Sequence, residues 1–235
     1  MKVMERGTEA RAGVEISLAG LRAVCDPSGA LFLPSESLLV VSDLHLEKGS
    51  SYARRGSMLP PYDTAATLDR LADAVRRHRP AVVVSLGDSF HDTGGAGRMP
   101  EAFRARLSEM MAGRAWYWIA GNHDPAPPEG LAGQWVETLA LGGLVFRHAP
   151  TPGPAEGEVA GHLHPGARIV RRGRSVRRAC FASDGSRLVM PAFGSLTGTL
   201  NLLAPAFSGL FCRERLTAYM LGAERVYPIA GVLLR

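Results

Sequence analysis

Apolar and polar positions along the chain fall into two regimes. Up to about residue 133, short continuous apolar runs alternate with stretches whose apolar positions recur every three or four residues, which predicts strands alternating with helices. Leu38 to Val41, Ala81 to Leu86 and Ala115 to Ala120 read as buried parallel strands, after short strands over Val14 to Val24 and Ala30 to Leu33 around the turn Asp26-Pro27-Ser28-Gly29. Asp63-Thr64 caps a helix with Ala65, Leu68, Leu71, Ala72 and Val75 on one face, ending near Arg79 before Pro80. Pro100 opens a second helix, with Phe103, Leu107 and Met110 on its apolar face and Gly113 as its stop. Glu47 to Tyr62 and Thr93 to Met99 read as loops. Strand-helix-strand twice over implies parallel pairing through right-handed crossovers.

From Gln134 onward helical spacing disappears. Short segments follow at Leu144 to Arg147, Glu158 to Ala160, Arg168 to Arg172, Ser175 to Phe181, Arg187 to Met190, Leu200 to Leu203, Ala218 to Leu221 and Val226 to Ile229, separated by Gly and Pro. They predict a second, largely antiparallel sheet. No linker or repeat divides the chain, so residues 1–235 are expected to form one domain.

The apolar runs end in chemistry. Leu38 to Val41 leads into Ser42-Asp43-Leu44-His45, Ala81 to Leu86 into Gly87-Asp88, and Ala115 to Ala120 into Gly121-Asn122-His123-Asp124. Later, Leu144 to Arg147 ends in His148, and Glu158 to Ala160 in Gly161-His162-Leu163-His164. In open α/β sheets, ligands sit beyond the carboxyl ends of the strands. If the backbone stays extended, Asp43 and His45 point the same way and can share an ion. The tips together offer Asp43, His45, Asp88, Asn122, His148, His162 and His164, too many donors for one ion and suited to two about 3.5 to 4 Å apart, with Asp88 as the bridging anion. Mixed imidazole and oxygen donors suit Mn²⁺, Fe²⁺ or Zn²⁺, and the absence of cysteine argues against a structural zinc site.

Composition changes the picture only modestly. The hydrophobic fraction is 46% and the charged fraction 21%, as in a globular enzyme rather than a disordered chain. Met1 to Gly13 is polar with no apolar signal core, and no apolar run is long enough for a membrane span, so a cytoplasmic protein is expected. Cys25, Cys180 and Cys212 form no C-x-x-C pair and read as reduced packing residues. The net charge of +5 comes almost wholly from arginine, the side chain shaped for phosphate.

The ordered set Asp43-Leu44-His45, Gly87-Asp88, Gly121-Asn122-His123-Asp124, His148 and Gly161-His162-Leu163-His164 resembles the calcineurin-like metallophosphoesterases, over roughly half the chain. More narrowly, DLHLEKG, GDSFHD, GHLHP with its arginine-rich hairpin, and LVMPAFGSLTG are similar to the bacterial ligase-associated DNA-damage-response endonucleases. The resemblance implies a four-layer αββα sandwich of two mixed sheets flanked by helices. It also implies one ion held by Asp43, His45, Asp88 and His164, and the other by Asp88, Asn122, His148 and His162. His123 would face the phosphate as general acid or electrostatic stabiliser, oriented by Asp124. The implied activity is phosphodiester hydrolysis, with DNA as substrate in a repair setting and a ligase and a helicase as functional partners. Two divalent ions, Mn²⁺ first among them, would neutralise the phosphate oxygens and lower the pKa of a bridging water. The hydroxide would attack phosphorus in line, and His123 would assist the departing alkoxide.

Other readings stand beside this one: hydrolysis of a small nucleotide, phosphomonoester or pyrophosphate, or a protein-binding scaffold without catalysis. Lipid substrates fit poorly, because the Pro- and Gly-rich connection from His148 to His162 leaves little room for a lid. His91 reads either as a phosphate contact or as a loop residue, and Asp92 as its orienter or a turn residue. His78, near a helix C-terminus, reads as structural. Arg168, Arg171, Arg172, Arg174, Arg177 and Arg178 crowd the hairpin after His164, where alternation would place some, such as Arg171, Arg174 and Arg178, on one face beside the metals to track a nucleic-acid backbone. A solvated ribbon without a partner is the bland alternative. Trp116 and Trp118 read as core rather than base-stacking platforms.

Overall fold

The structure is a computed structural model that describes residues 13–57 and 62–235. Residues 1–12 of the polar N-terminal segment and 58–61 of the expected loop lie outside the described residues. The first sheet contains β1 (Val14–Leu18), β2 (Leu21–Cys25), β3 (Leu31–Leu33), β4 (Leu38–Val41), β5 (Val82–Ser85), β6 (Ala115–Ile119) and β7 (Gln134–Val136), in that spatial order. Pairing is antiparallel from β1 to β4 and parallel from β4 to β7. Four helices, α1 (Lys48–Arg54), α2 (Asp63–His78), α3 (Gly95–Arg98) and α4 (Glu101–Met111), fall in the connections of the parallel half.

The second sheet comprises β8 (Thr138–Leu141), β9 (Leu144–Arg147), β10 (Glu158–Ala160), β11 (Pro165–Arg171), β12 (Arg174–Ser183), β13 (Arg187–Val189), β14 (Leu200–Asn201), β15 (Thr217–Leu221) and β16 (Val226–Ala230). It is mixed: β9, β10 and β13 run parallel, while the hairpins around them are antiparallel. Alternation along β4 shows how the layers pack. Leu39 and Val41 join the core under α2 and α4, whereas Leu38 and Val40 face the second sheet with Phe146, Val159, Phe181 and Leu188.

Beyond Met111 the described residues contain no α-helix. The outer face of the second sheet, with Cys180, Ala182, Ala218 and Met220, is instead covered by Leu202, Phe207, Leu210 and Leu234 from loops and single 3₁₀ turns. Pro205 and Gly209 interrupt the apolar stretch there, which keeps it from continuing as a helix. The two mixed sheets of the expected sandwich are present, and its fourth layer is made of turns.

Other differences are local. Val14 to Val24 is a hairpin in itself, turning at Ala19 and Gly20 with φ of 48° and 79°, a twist that suits two-residue hairpins. The expected loop after Glu47 contains helix α1, although Gly49, Ser50 and Ser51 have low helix propensity. Tertiary contacts hold it: Asp63 accepts the Gly49 N–H at 3.0 Å, Thr64 accepts that of Glu47 at 2.8 Å, and Ser51 is buried. Trp116 and Trp118 lie in the core as expected. His78 is structural, bonded to the Asp26 carboxylate at 2.9 Å and stacked on Phe32.

Candidate metal centre

The carboxyl ends of β4, β5 and β6 meet those of β9 and β10, so five strand tips from two sheets converge. Their donors form two triads, Asp43 with His45 and His164, and Asp88 with His148 and His162, within which the ligand atoms lie inside 4.8 Å of one another. Asp88 stands between them: one carboxylate oxygen is 3.5 Å from His148 Nε2, the other 3.9 Å from His45 Nε2. Asn122 joins the second triad, its Oδ1 2.8 Å from His148 Nε2. All seven expected donors are thus brought together.

The reason for their convergence differs from the expected one. Asp43 and His45 are not on extended backbone; their φ angles are 52° and 44°, and Asp88, His162 and His164 also lie in the left-handed region. For L-residues this costs about 1 to 3 kcal/mol each, and such outliers cluster at functional sites. The strain is held by hydrogen bonds between tips, with Gly87 O accepting from Asp43, Asp88 O from His45, and the Asp43 carboxylate from His162 N–H at 3.0 Å. The glycines also differ in role. Gly87 has φ of 75° and makes a turn, but Gly121 is there for close approach, since a Cβ would sit 2.1 Å from the Asp88 nitrogen.

Two features test whether these residues fit cations. His148 Nδ1 lies 2.8 Å from the Leu86 carbonyl, which can only accept, so Nδ1 carries the proton and Nε2 presents a bare lone pair. That lone pair faces Asn122 Oδ1 and the Asp88 carboxylate, acceptors that repel it unless a cation lies among them, with His162 Nδ1 3.1 Å away. Ligands about 2.1 Å from a metal stand about 3.0 to 3.4 Å apart, which is this spacing. In the other triad Asp43 Oδ1 is fully buried beside His164 Nε2 at 3.2 Å without accepting an aligned hydrogen bond, and His45 Nδ1 is likewise unpartnered.

Electrostatics favours the neutral, ligating form at His45 and His162. Burial holds the His45 imidazole down to about pKa 3, so it stays neutral and able to ligate. Burial, with His148 nearby, also lowers His162. Burial opposes ionisation of Asp43, but His164 and His148 outweigh it and hold its carboxyl below the usual range. For His164, the same Asp43 pairing outweighs burial and raises it.

His123 faces the Asp88 carboxylate, Nε2 at 4.0 Å, with its side chain partly exposed. Its orientation does not come from Asp124. His123 Nδ1 donates to the His91 carbonyl at 3.0 Å, whereas Asp124 accepts the backbone N–H groups of Asp88, Ser89 and Phe90 at 2.9, 2.7 and 3.1 Å. Asp124 therefore fixes the turn that carries Asp88, and sequence spacing could not distinguish this from orienting a neighbouring imidazole. Burial pushes its carboxyl up to about 7 against those three donors.

His91 lies at the site, its ring stacked between those of His123 and Tyr52. Asp92 is a turn residue paired with Arg98. Sequence reasoning missed Tyr52, and also Ser42, whose hydroxyl bonds the Asp43 carboxylate. Arg171, Arg174 and Arg178 do share one face of the β11–β12 hairpin, that of Ala167 and Cys180. They are not all beside the tips: Arg178 pairs with Ala167, but the Arg171–Arg174 pair lies seven residues from His164, about 23 Å of extended strand.

The fold and this donor set define a metal-dependent enzyme on a two-sheet α/β sandwich. A family model of the calcineurin-like phosphoesterases matches residues 37–176, and the chain belongs to that family. It is a metal-dependent phosphoesterase. Among solved structures it is similar to the Pseudomonas putida nuclease MPE, with 28% identity, a TM-score of 0.70, and 93% of this chain and 100% of that one covered. It also aligns with Yfce, a phosphoesterase from E. coli, at 14% identity and a TM-score of 0.40, over 82% of this chain and 98% of that one. No curated protein matches the sequence.

Proposed function

We propose that the protein is a dinuclear-metal phosphodiesterase that cleaves DNA, acting in repair alongside a ligase and a helicase in the cytoplasm, with residues 1–235 as one catalytic domain. The observation that carries the reading is the Asp88 carboxylate, which belongs to one donor triad and reaches toward His45 of the other. Asp43, His45, Asp88 and His164 hold one ion, and Asp88, Asn122, His148 and His162 the other. Mn²⁺ suits this set best, ahead of Fe²⁺ or Zn²⁺. When bound, the two ions supply charge neutralisation at the phosphate and a lowered pKa for the attacking water.

The chain's own residues do the rest. The strained tips fix the donors before substrate arrives, so little reorganisation is needed. His123, partly exposed and held through Nδ1 by the His91 carbonyl, presents Nε2 to the departing oxygen and delivers a proton there. DNA as substrate is supported by the nuclease among similar structures and by the arginine-rich surface. Arg178, paired with Ala167 three residues from His164, would be the first of these to meet a backbone, with Arg171 and Arg174 further along the hairpin.

The test is purified protein with Mn²⁺ on single-stranded DNA, duplex DNA and bis-p-nitrophenyl phosphate at several salt concentrations. Cleavage of DNA, weakening with salt, is expected. Activity on bis-p-nitrophenyl phosphate with none on nucleic acid would leave a small-molecule phosphoesterase, and inactivity on every ester, with the protein still binding partners, would leave a scaffold.

A further inference from the structure

A polar cavity of about 360 Å³ opens between α1 and the turn after His91, lined by Ser51, Arg54, Arg55, Asp92, Thr93 and Gly94. Its one carboxylate is already neutralised, because Arg98 grips Asp92 with two hydrogen bonds of 2.7 and 2.8 Å. Arg54 and Arg55 are exposed and have no acidic partner among the described residues. Two guanidinium groups without an acidic partner among the described residues, beside the Thr93 side chain, make an anion site, and guanidinium forks match phosphate oxygens in pairs.

Its position says which anion. Starting from Asp88, the His123, His91 and Tyr52 rings follow in a row, with centroids 5.2 Å and then 5.6 Å apart. Tyr52 sits in the same helical turn as Arg54 and Arg55, so the cavity lies at the end of this row, away from the metal ligands. We propose that it receives a second phosphate of the substrate strand, further along than the one next to that hydrolysed, with Arg54 and Arg55 as its ligands. This rests on the nuclease reading and adds a specificity element to it: a strand touches both sites, whereas a small diester reaches only the metals. The β11–β12 arginines serve a different stretch, since they stand on another sheet.

The experiment compares the wild type with R54A/R55A in Mn²⁺, using bis-p-nitrophenyl phosphate, closed circular single-stranded DNA and a linear oligonucleotide with or without a 5′-phosphate. Binding of a fluorescent oligonucleotide is measured separately in EDTA by anisotropy. The variant should lose at least tenfold more kcat/KM on DNA than on bis-p-nitrophenyl phosphate, mainly through KM. Its salt slope for binding should be shallower by about 0.7, the effect of one lost phosphate contact on a single strand. R54K/R55K should recover part of the loss, since charge remains but the fork is gone. A loss on circular DNA assigns an internal phosphate, and a loss confined to 5′-phosphorylated ends assigns a terminal one. If the variant matches wild type on every DNA that wild type cleaves, the second site is refuted while the nuclease reading stands. A wild type that cleaves only bis-p-nitrophenyl phosphate defeats both.

Discussion

Two buried charge clusters in this molecule differ in how their charges are balanced. Glu158 is buried with Arg187 at 2.8 Å and Arg147 at 3.2 Å, and Arg187, fully buried, also donates to the carbonyls of Thr151, Gly153 and Leu210. The Glu158 carboxylate and both terminal nitrogens of Arg187 have aligned partners, the Nε atoms of Arg187 and Arg147 meet Glu158 as ion pairs without one, and none of the three residues has a left-handed φ. Around Asp43 and Asp88 no arginine among the described residues supplies donors: a carboxylate, an amide oxygen and a bare imidazole nitrogen crowd together, Asp43 Oδ1 lacks an aligned donor, and five of the seven expected ligands are on left-handed backbone. A satisfied cluster ties loops together. An unsatisfied one, held by strain, is built for something that arrives later.

The comparison breaks most visibly at Asp88. Asp88→Asn should lower Mn²⁺-dependent hydrolysis by about 10³-fold or more, because losing one ion forfeits several kcal/mol of transition-state stabilisation. The same substitution should leave the thermal midpoint in EDTA unchanged or raised, and abolish the rise that Mn²⁺ gives the wild type. A midpoint that drops sharply in EDTA would put Asp88 in the structural class.

Arg187→Met is the mirror case. It leaves buried Glu158 with one cationic partner, Arg147, beside the Thr151 N–H and hydroxyl, and should destabilise by about 3 to 5 kcal/mol, read by urea unfolding, while the folded fraction keeps its kcat. His123→Ala should cost about 10² in kcat on DNA and much less on bis-p-nitrophenyl phosphate, whose leaving group needs no proton, with Mn²⁺ affinity unchanged. An equal loss on both substrates would assign the proton to another group.

The smallest effect concerns Asp26, in a third, satisfied cluster. Burial alone would raise its carboxyl, but His78, Arg77 and Ser28 together hold it well below the ordinary range. A folded-state pKa below the unfolded value of about 3.9 means the stabilisation is present above that pH and is lost as pH falls below it. Asp26→Asn should therefore be less stable at pH 7 and show a flatter stability profile below pH 4.

The parallel strands, the two long helices and all seven donors were legible because each has a local signature, an apolar run that ends in a polar tip or a three-four spacing. Helix α1 was not legible, since Gly49, Ser50 and Ser51 give no periodicity and contacts from Asp63 and Thr64 hold it. Nor was the true partner of Asp124, because a carboxylate beside an imidazole in sequence can turn to backbone groups 34 to 36 residues away.

By itself the sequence determined which residue types stand at the strand tips and in what order, because strand patterning and donor chemistry are both properties of short stretches. Only the tertiary structure decided which lone pairs face each other, which tips carry left-handed backbone, and where the arginines lie relative to the donors. Those depend on how two sheets pack and how five chain reversals bond to one another, a long-range balance of burial and hydrogen bonding that no local window contains.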